Sequence, residues 1–335
     1  MRVRAVKQRK KILITGESGH LGRLLYYALK HSGHCIINDE AHDSVVCFHN
    51  KRSLPCVFDY PYDDEIDISN LYEIYSIIEE HKPDIIIHTA AYVGTDKCEE
   101  DEFGAYGLNV DAIRHLMSII KSVAPDCLFV NFSTTATMDP NSYDAVKKIS
   151  PETPRKPQTW YGETKLMGEV IVKRLSKRWI NFLPVFLFGD YPHDTASIWA
   201  RMFVASLQGK TYEVKLNPEI NKQYEYASNV IPLIEKIIMN PKAEGKDIII
   251  AGPEIDCFGA FIYDAEQAFK KQFGALLNYK LKPEDDYLKH HVADYSTMLE
   301  YSKVSAKQFV NTRIDFEKAI WLVTESVKNG YKLRK

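Results

Sequence analysis

Short β-branched apolar runs that alternate with helix-period stretches from residue 11 to about 180 predict an α/β fold. Its core is a doubly wound parallel sheet, with a smaller α/β region on its C-terminal side. Two further observations point the same way. A glycine-rich turn, Gly16-Glu17-Ser18-Gly19-His20-Leu21-Gly22, lies between the first apolar run and the first helix, where such sheets bind anions. Later, Tyr161 and Lys165 stand four residues apart in a helical stretch and so share one face.

The run Lys11-Ile12-Leu13-Ile14-Thr15 reads as the first strand, and Leu24 to Leu29 as part of the amphipathic helix beyond the glycines. Glycines allow a tight turn and close approach to a ligand, while the new helix end aims N–H groups and a positive dipole at a phosphate. After Ser32-Gly33, His34 to Asn38 reads as a second strand ending in Asp39-Glu40. An acid there bonds a ribose diol and repels an extra phosphate. Val45 to Phe48 is a candidate further strand, and the Pro-, Tyr- and Asp-rich segment from Lys51 to Glu65 an irregular excursion. Asp67-Ile68 precedes a helix capped by Ser69 or Asn70, with Leu71, Ile74, Tyr75, Ile77 and Ile78 at helical spacing.

Ile85 to His88 is a continuous apolar run, as in strands covered on both faces. It opens into Thr89-Ala90-Ala91-Tyr92, whose small residues leave room at a strand end. His88 alone reads as a core histidine. The acidic Glu99-Glu100-Asp101-Glu102 lacks ordered ligand spacing and reads as a solvated helix start, not a metal site. The next helix carries Leu108, Ala112, Ile113, Leu116, Met117 and Ile120 at core spacing, with Asn109 among them. Cys127 to Phe132 is another buried strand; it empties into Ser133-Thr134-Thr135-Ala136-Thr137, hydroxyls that either hold a carbonyl or cap a turn. Prolines between Asp139 and Pro157 mark a loop before the Tyr161 helix, which begins at Gln158 or Thr159. Beyond it, helices are expected over Ser197 to Gln208, Ile231 to Met239, Phe258 to Phe273 and Asp315 to Lys328, and a late strand over Asp247 to Ala251. Lys222 to Val230 reads either as a surface strand and turn or as a binding edge.

With 335 residues, 45% of them hydrophobic, the chain can bury one large core or two ordinary ones. A net charge of -2 creates no general field for nucleic acid or anionic membrane. The basic residues 1–10 read as a solvated tail, and no stretch reaches the roughly 20 apolar residues of a membrane span. Six scattered cysteines without a Cys-x-x-Cys pair suggest free thiols in a reducing compartment, hence a cytoplasmic protein.

Together the glycine turn, His88-Thr89-Ala90-Ala91, Ser133-Thr134-Thr135, Pro151-Glu152-Thr153-Pro154 and Tyr161 to Glu169 resemble the extended short-chain dehydrogenase/reductases that modify nucleotide sugars. The resemblance covers about the first 190 residues. It implies a Rossmann dinucleotide-binding domain over 11–190 and a mainly substrate-binding region over 191–335, some segments of which return to the sheet. The implied cofactor is NAD or NADP, with Asp39 favouring NAD. Gly16, Gly19, His20, Leu21, Gly22, Asp39, Asp67, Ile68, Ala90, Ala91 and Asn109 would hold it, with Tyr161 and Lys165. By the same resemblance Tyr161 is the acid/base, Lys165 lowers its pKa and holds the nicotinamide ribose, and Thr135 bonds the reacting oxygen. Tyr92, Val93, Thr134 and Thr135 would face the substrate; no metal is implied.

The segment from His88 to Val110 and the run from Gly162 to Glu169 are similar to the dTDP-4-dehydrorhamnose reductase branch, which implies reduction of a 4-keto sugar nucleotide. Thr135 stands where that branch has Asp, and Leu183 where it has Arg. The run from Ser133 to Thr137 instead resembles the 4-epimerases, so 4-epimerisation is the alternative activity. A cofactor-binding regulatory subunit without turnover is the alternative of another class. The apolar stripes on the helices holding Asn109 and Tyr161 suit either a homodimer face or packing on the sheet.

Overall fold

In the computed structural model, residues 9–17, 19–37, 47–48, 65–66, 68, 70–139, 148–189, 198–282 and 293–333 are described. The first apolar run forms β1 (Lys11–Thr15), followed by α1 (His20–His31), β2 (Cys35–Ile36), β3 (Cys47–Phe48), β4 (Glu65–Ile66), α2 (Leu71–His81) and β5 (Ile85–His88). Two short helices, α3 (Thr95–Glu100) and α4 (Glu102–Tyr106), lead through a π-helical turn, Gly107–Asp111, into α5 (Ala112–Val123). Then come β6 (Leu128–Phe132), α6 (Trp160–Leu175) and β7 (Arg178–Pro184).

The remainder contributes β8 (Phe186–Phe188), α7 (Ile198–Leu207), β9 (Tyr212–Val214), β10 (Asn221–Tyr226), α8 (Ala227–Ile238) and β11 (Lys246–Ile250). After these follow β12 (Ile255–Cys257), α9 (Phe258–Phe273), β13 (Tyr279–Leu281), α10 (Ser296–Ser302), α11 (Ala306–Thr312) and α12 (Phe316–Leu333).

Six strands form a parallel sheet in the order β11-β7-β6-β5-β1-β2. Its apolar runs are continuous because both faces are covered. On one face Ile12, Ile14, Ile85, Ile87, Leu128 and Val130 pack against Leu25 and Leu29 of α1 and Ile234 and Ile237 of α8. On the other, Leu13, Ile86 and Phe129 meet Ile74 and Ile78 of α2, Ile113 and Leu116 of α5, and Val172 of α6. The period of two assigns alternate residues to opposite layers, each buried aliphatic side chain stabilising the fold by about 1.5–3 kcal/mol. The chain runs from β1 outward to β2 and later places β5 on β1's other side, so the order reverses between β1 and β5. That reversal opens a crevice at the strands' carboxyl ends.

A second core is aromatic. Trp199, Tyr224, Phe258, Phe261 and Phe316 cluster between α7, β10, α9 and α12, with Phe261 and Phe316 ring centroids 4.5 Å apart. The segment from Lys222 is not a surface strand: Lys222 to Tyr226 are all buried in β10, between β8 and β12. Asn229 there is committed to the fold, accepting from Ile314 N at 2.8 Å and donating to the buried Glu225 at 2.7 Å. Arg313 completes this tie, 3.4 Å from Glu225 and 2.7 Å from Glu254. The helix that carries Asn229, α8, starts at Ala227, ahead of the expected Ile231, with Pro232 inside it.

The described cysteines, Cys35, Cys98, Cys127 and Cys257, are free thiols. Among the described residues no helix is long and apolar enough to cross a membrane, and no group of three or more His, Cys, Asp or Glu could hold a metal.

Candidate active site

The glycine turn fits its position tightly. Gly16 has φ +76°, and a Cβ there would lie 2.4 Å from Ala90 N, so the ends of β1 and β5 touch at the crevice. A Cβ on Gly22 would lie 2.2 Å from Gly16 O, so the first turn of α1 rests directly on the loop. Around Gly19 only Gly16 O comes close, at 3.0 Å. Gly19 is the N-cap of α1, with no side-chain cap and no acid in the first turn, which includes His20, Leu21 and Gly22. Such an end offers N–H groups and a positive dipole to an anion. Ala90 is buried and Ala91 half-buried beside it. Asp39 and Asp67 lie outside the described residues. Ile68 is buried in the core beside Leu13 and Ile37.

Tyr161 and Lys165 enter from α6. Thr159 caps that helix, accepting from Gly162 N at 3.1 Å, and Glu99 accepts from Trp160 N at 2.7 Å. Trp160 Nε1 in turn donates to Glu102 O at 3.0 Å. The acidic cluster is the expected solvated helix start at α4, which Asp101 caps, and Glu99 at the end of α3 additionally braces the start of α6. Gly162 permits the seating, because a Cβ there would lie 2.5 Å from Ala136 O.

The hydroxyl that acts on the phenol's acidity is Thr134, whose side chain accepts from Ala136 N at 3.2 Å. Thr135, the residue expected there, donates instead to Pro184 O at 3.3 Å and is buried. Backbone geometry makes the difference. Thr134 is extended (φ -161°, ψ 153°), while Thr135 opens the 3₁₀ turn Thr135–Thr137.

Hydrogen bonds fix two other expected site residues, Asn109 and Tyr92. Asn109, fully buried in the π-helical turn, spends its amide on Tyr92 N (2.9 Å), Tyr92 O (3.1 Å) and Thr164 Oγ1 (3.1 Å). It splints the segment after β5 to α6. The Tyr92 hydroxyl donates to Asp101 at 3.2 Å, while Val93 is exposed.

Burial pushes the Tyr161 phenol up to about 12, with Cys98 adding to the rise and the Thr134 hydroxyl opposing it. The expected lowering by Lys165 is not among these influences, so the phenol is protonated at neutral pH in this conformation. Lys165, 2% exposed, is brought down to about 8 by burial, against the charge of Glu169, with a smaller opposing influence from Cys98. Among the described residues, nothing hydrogen-bonds or ion-pairs with its ammonium. A buried charge without a partner is costly.

His88 lies behind this pair, its Nδ1 2.7 Å from Thr15 Oγ1 and its ring stacked on Phe129. Burial, reinforced by Lys165, lowers it to about 3 from 6.5. A folded-state pKa below the unfolded one gives stability that is fully present above pH 6.5 and lost as pH falls toward 3. Urea unfolding between pH 7 and 4 is expected to show a loss approaching about 1.4 kcal/mol per pH unit from this group. His88→Gln flattens that slope; an unchanged slope refutes the assignment.

The residues present suit a dinucleotide. An uncapped helix end would meet a phosphate, and the buried ammonium, without a partner among the described residues, would meet ribose hydroxyls. The fold is that of sugar-nucleotide enzymes. The UDP-glucose 4-epimerase of Thermotoga maritima superposes with a TM-score of 0.75 at 16% identity, covering 95% of this chain and 99% of that one. The UDP-glucuronic acid 4-epimerase of Bacillus cereus, solved with UDP-glucuronic acid and NAD, gives 0.75 at 18%, with the same coverage. These superpositions establish the architecture alone, a Rossmann-type α/β fold.

The family model described as RmlD substrate binding domain matches residues 10–214, and the chain belongs to that family. Among curated relatives, a dTDP-4-dehydrorhamnose reductase of Burkholderia thailandensis is 30% identical over 125 residues, 37% of this chain and 40% of that protein. Another, from Aggregatibacter actinomycetemcomitans, is 27% identical over 199 residues, 57% of this chain and 56% of the relative. The chain thus spans about half the length of the curated relatives it matches.

Proposed function

We propose that the protein is an NAD(P)-dependent oxidoreductase that reduces the 4-keto group of a nucleotide-linked sugar. The observation that carries this reading is the buried Lys165 ammonium, without a partner among the described residues, one helical turn from the Tyr161 phenol on which Thr134 acts.

In this reading the N-terminus of α1 holds the dinucleotide's phosphates and Lys165 its nicotinamide ribose; the bound nicotinamide supplies the hydride. Tyr161 Oη gives its proton to the carbonyl oxygen as negative charge develops there. The Thr134 hydroxyl steadies that oxygen. Lys165, drawn toward Tyr161 once the site is filled, favours the phenolate left after proton transfer. Gly16, Gly22 and Ala90 shape the crevice, Ala91 and Val93 line its mouth, and Asn109 acts by holding Tyr92 in place. Residues 191–335 carry most of the sugar-nucleotide contacts.

Incubation with NADH or NADPH and a panel of 4-keto nucleotide sugars tests the proposal. Net cofactor oxidation with a reduced sugar is the expected result. Interconversion of 4-epimers without net oxidation identifies an epimerase, the reading favoured by the hydroxyl run from Ser133 to Thr137; the absence of both overturns the proposal.

The exposed apolar side chains of Phe103 and Tyr106 on α4 and of Met167 and Val170 on α6 support a further reading, a homodimer joined through this side of the sheet. Light scattering is expected to give twice 38.5 kDa for the parent chain and 38.5 kDa for Val170→Glu. A monomeric parent refutes the dimer.

A further inference from the structure

Beyond the Tyr161–Lys165 pair along α6 lies a network of polar groups, some fully buried and some partly exposed, that the proposed reaction does not use. Glu169, fully buried, follows Lys165 by one turn of α6. Its Oε1 accepts from Ser133 Oγ at 2.5 Å, and its Oε2 accepts from Arg155 Nε at 3.2 Å, with Lys173 Nζ 3.8 Å away. Arg155 and Lys173 also reach Asp247 of β11, at 2.9 and 2.6 Å. Asn181 donates to Asp247 at 3.0 Å and accepts from Asn131 at 3.0 Å. The chain of contacts joins α6 to β6, β7 and β11 and to the loop before α6.

Ser133 immediately precedes Thr134, the hydroxyl that acts on the phenol, and Glu169 lies on the helix that carries Tyr161 and Lys165. The Ser133–Glu169 hydrogen bond is therefore a direct tie between the two elements that must keep Thr134, Tyr161 and Lys165 in register. A neutral Gln could supply part of that tie. A carboxylate in this location also does something electrostatic: it places a negative charge on the helix face below a buried ammonium.

We propose that Glu169 is a positioning residue for this site, its carboxylate tying α6 to the end of β6 while holding Lys165 in its charged form. The inference rests on the dinucleotide reading for its purpose, but its physical content concerns the ligand-free chain. The groups acting on Lys165 are Glu169 from its own helix and Cys98 from α3, with His88 of β5 coupled to it from behind. Burial lowers Lys165 and Glu169 is the leading influence that opposes it. Arg155, in turn, partly neutralises Glu169.

The test is a pH titration of the Lys165 side chain in the full-length, ligand-free protein, carrying ¹³C-labelled lysine and observed by NMR. The resonance is identified by its loss in Lys165→Arg. The parent midpoint is expected near 8. Glu169→Gln lowers it by at least about half a pH unit, and Arg155→Gln, which leaves the carboxylate less neutralised, raises it. Ser133→Ala keeps the charge and leaves the midpoint unchanged, while turnover falls about tenfold through loss of the tie.

Opposite shifts for the first two variants are not produced by a purely structural role. An unchanged midpoint in both overturns the proposal, as does a shift in Ser133→Ala as large as that in Glu169→Gln. Should Glu169→Gln fail to fold, Arg155→Gln, at a half-buried position, decides alone. The titration needs neither dinucleotide nor sugar, so failure of the proposed function in the keto-sugar panel is distinguishable from failure here.

Discussion

Tyr161→Phe is expected to lower turnover by about 10²- to 10⁴-fold, the usual contribution of a positioned proton donor. Dinucleotide binding and the thermal midpoint stay near those of the parent. The substitution removes only an oxygen at a half-buried position, and the ring keeps its place at the start of α6. What is lost is a phenol that burial holds protonated, pushed up to about 12. In reduction the phenol begins with the proton it must deliver, so the loss falls on kcat more than on the dinucleotide KM. Steady-state rates with the keto-sugar panel, together with dinucleotide binding by fluorescence, check this. A variant as active as the parent refutes the role of Tyr161. A parent that binds dinucleotide without turnover supports the non-catalytic regulatory subunit instead.

Gly16→Ala is the second change with a large effect. At φ +76° any side chain is strained, by about 1–3 kcal/mol. The added Cβ also falls 2.4 Å from Ala90 N and 2.8 Å from Thr89 C, backbone atoms that cannot rotate away. Overpacking of that kind costs about 1–3 kcal/mol more. The sum, about 2–6 kcal/mol, is a large share of the 5–15 kcal/mol that holds a typical domain together. Relief requires the ends of β1 and β5 to separate, which spoils the crevice, so dinucleotide affinity falls with stability. Gly33→Ala is the internal control. Gly33 has a similar φ of +84° but nothing within 4 Å of its added Cβ, so it carries the strain without the clash. Equal urea midpoints for the two variants refute the close-approach argument.

Much of the architecture was legible in the chain because both periods were strong. Ile12-Leu13-Ile14 and Ile85-Ile86-Ile87 are apolar at every position, which only a strand covered on both faces requires, and those strands lie side by side in the sheet. The glycines at 16, 19 and 22 marked the strand-to-helix turn. The C-terminal region was harder. α10 and α11 have seven residues each, too short to display a helical period, and β9, β12 and β13 have three apiece. Lys222-Gln223-Tyr224-Glu225-Tyr226 has the polarity of an exposed edge, yet it is buried because Arg313 and Asn229 satisfy Glu225 and the aromatic cluster encloses Tyr224.

The candidate site divides in the same way. By itself the sequence determined a doubly wound sheet, a glycine turn opening a helix, and a tyrosine and lysine on one helical face, since each is a matter of local spacing. Only the tertiary structure decided which hydroxyl acts on the phenol, because Thr134 and Thr135 are adjacent and point apart through a change of backbone conformation at the end of β6. It also decided that Asn109 turns inward to Tyr92 and Thr164, and that Glu169 bonds Ser133, 36 residues away. Such pairings follow from how the sheet and helices pack, which local spacing does not encode.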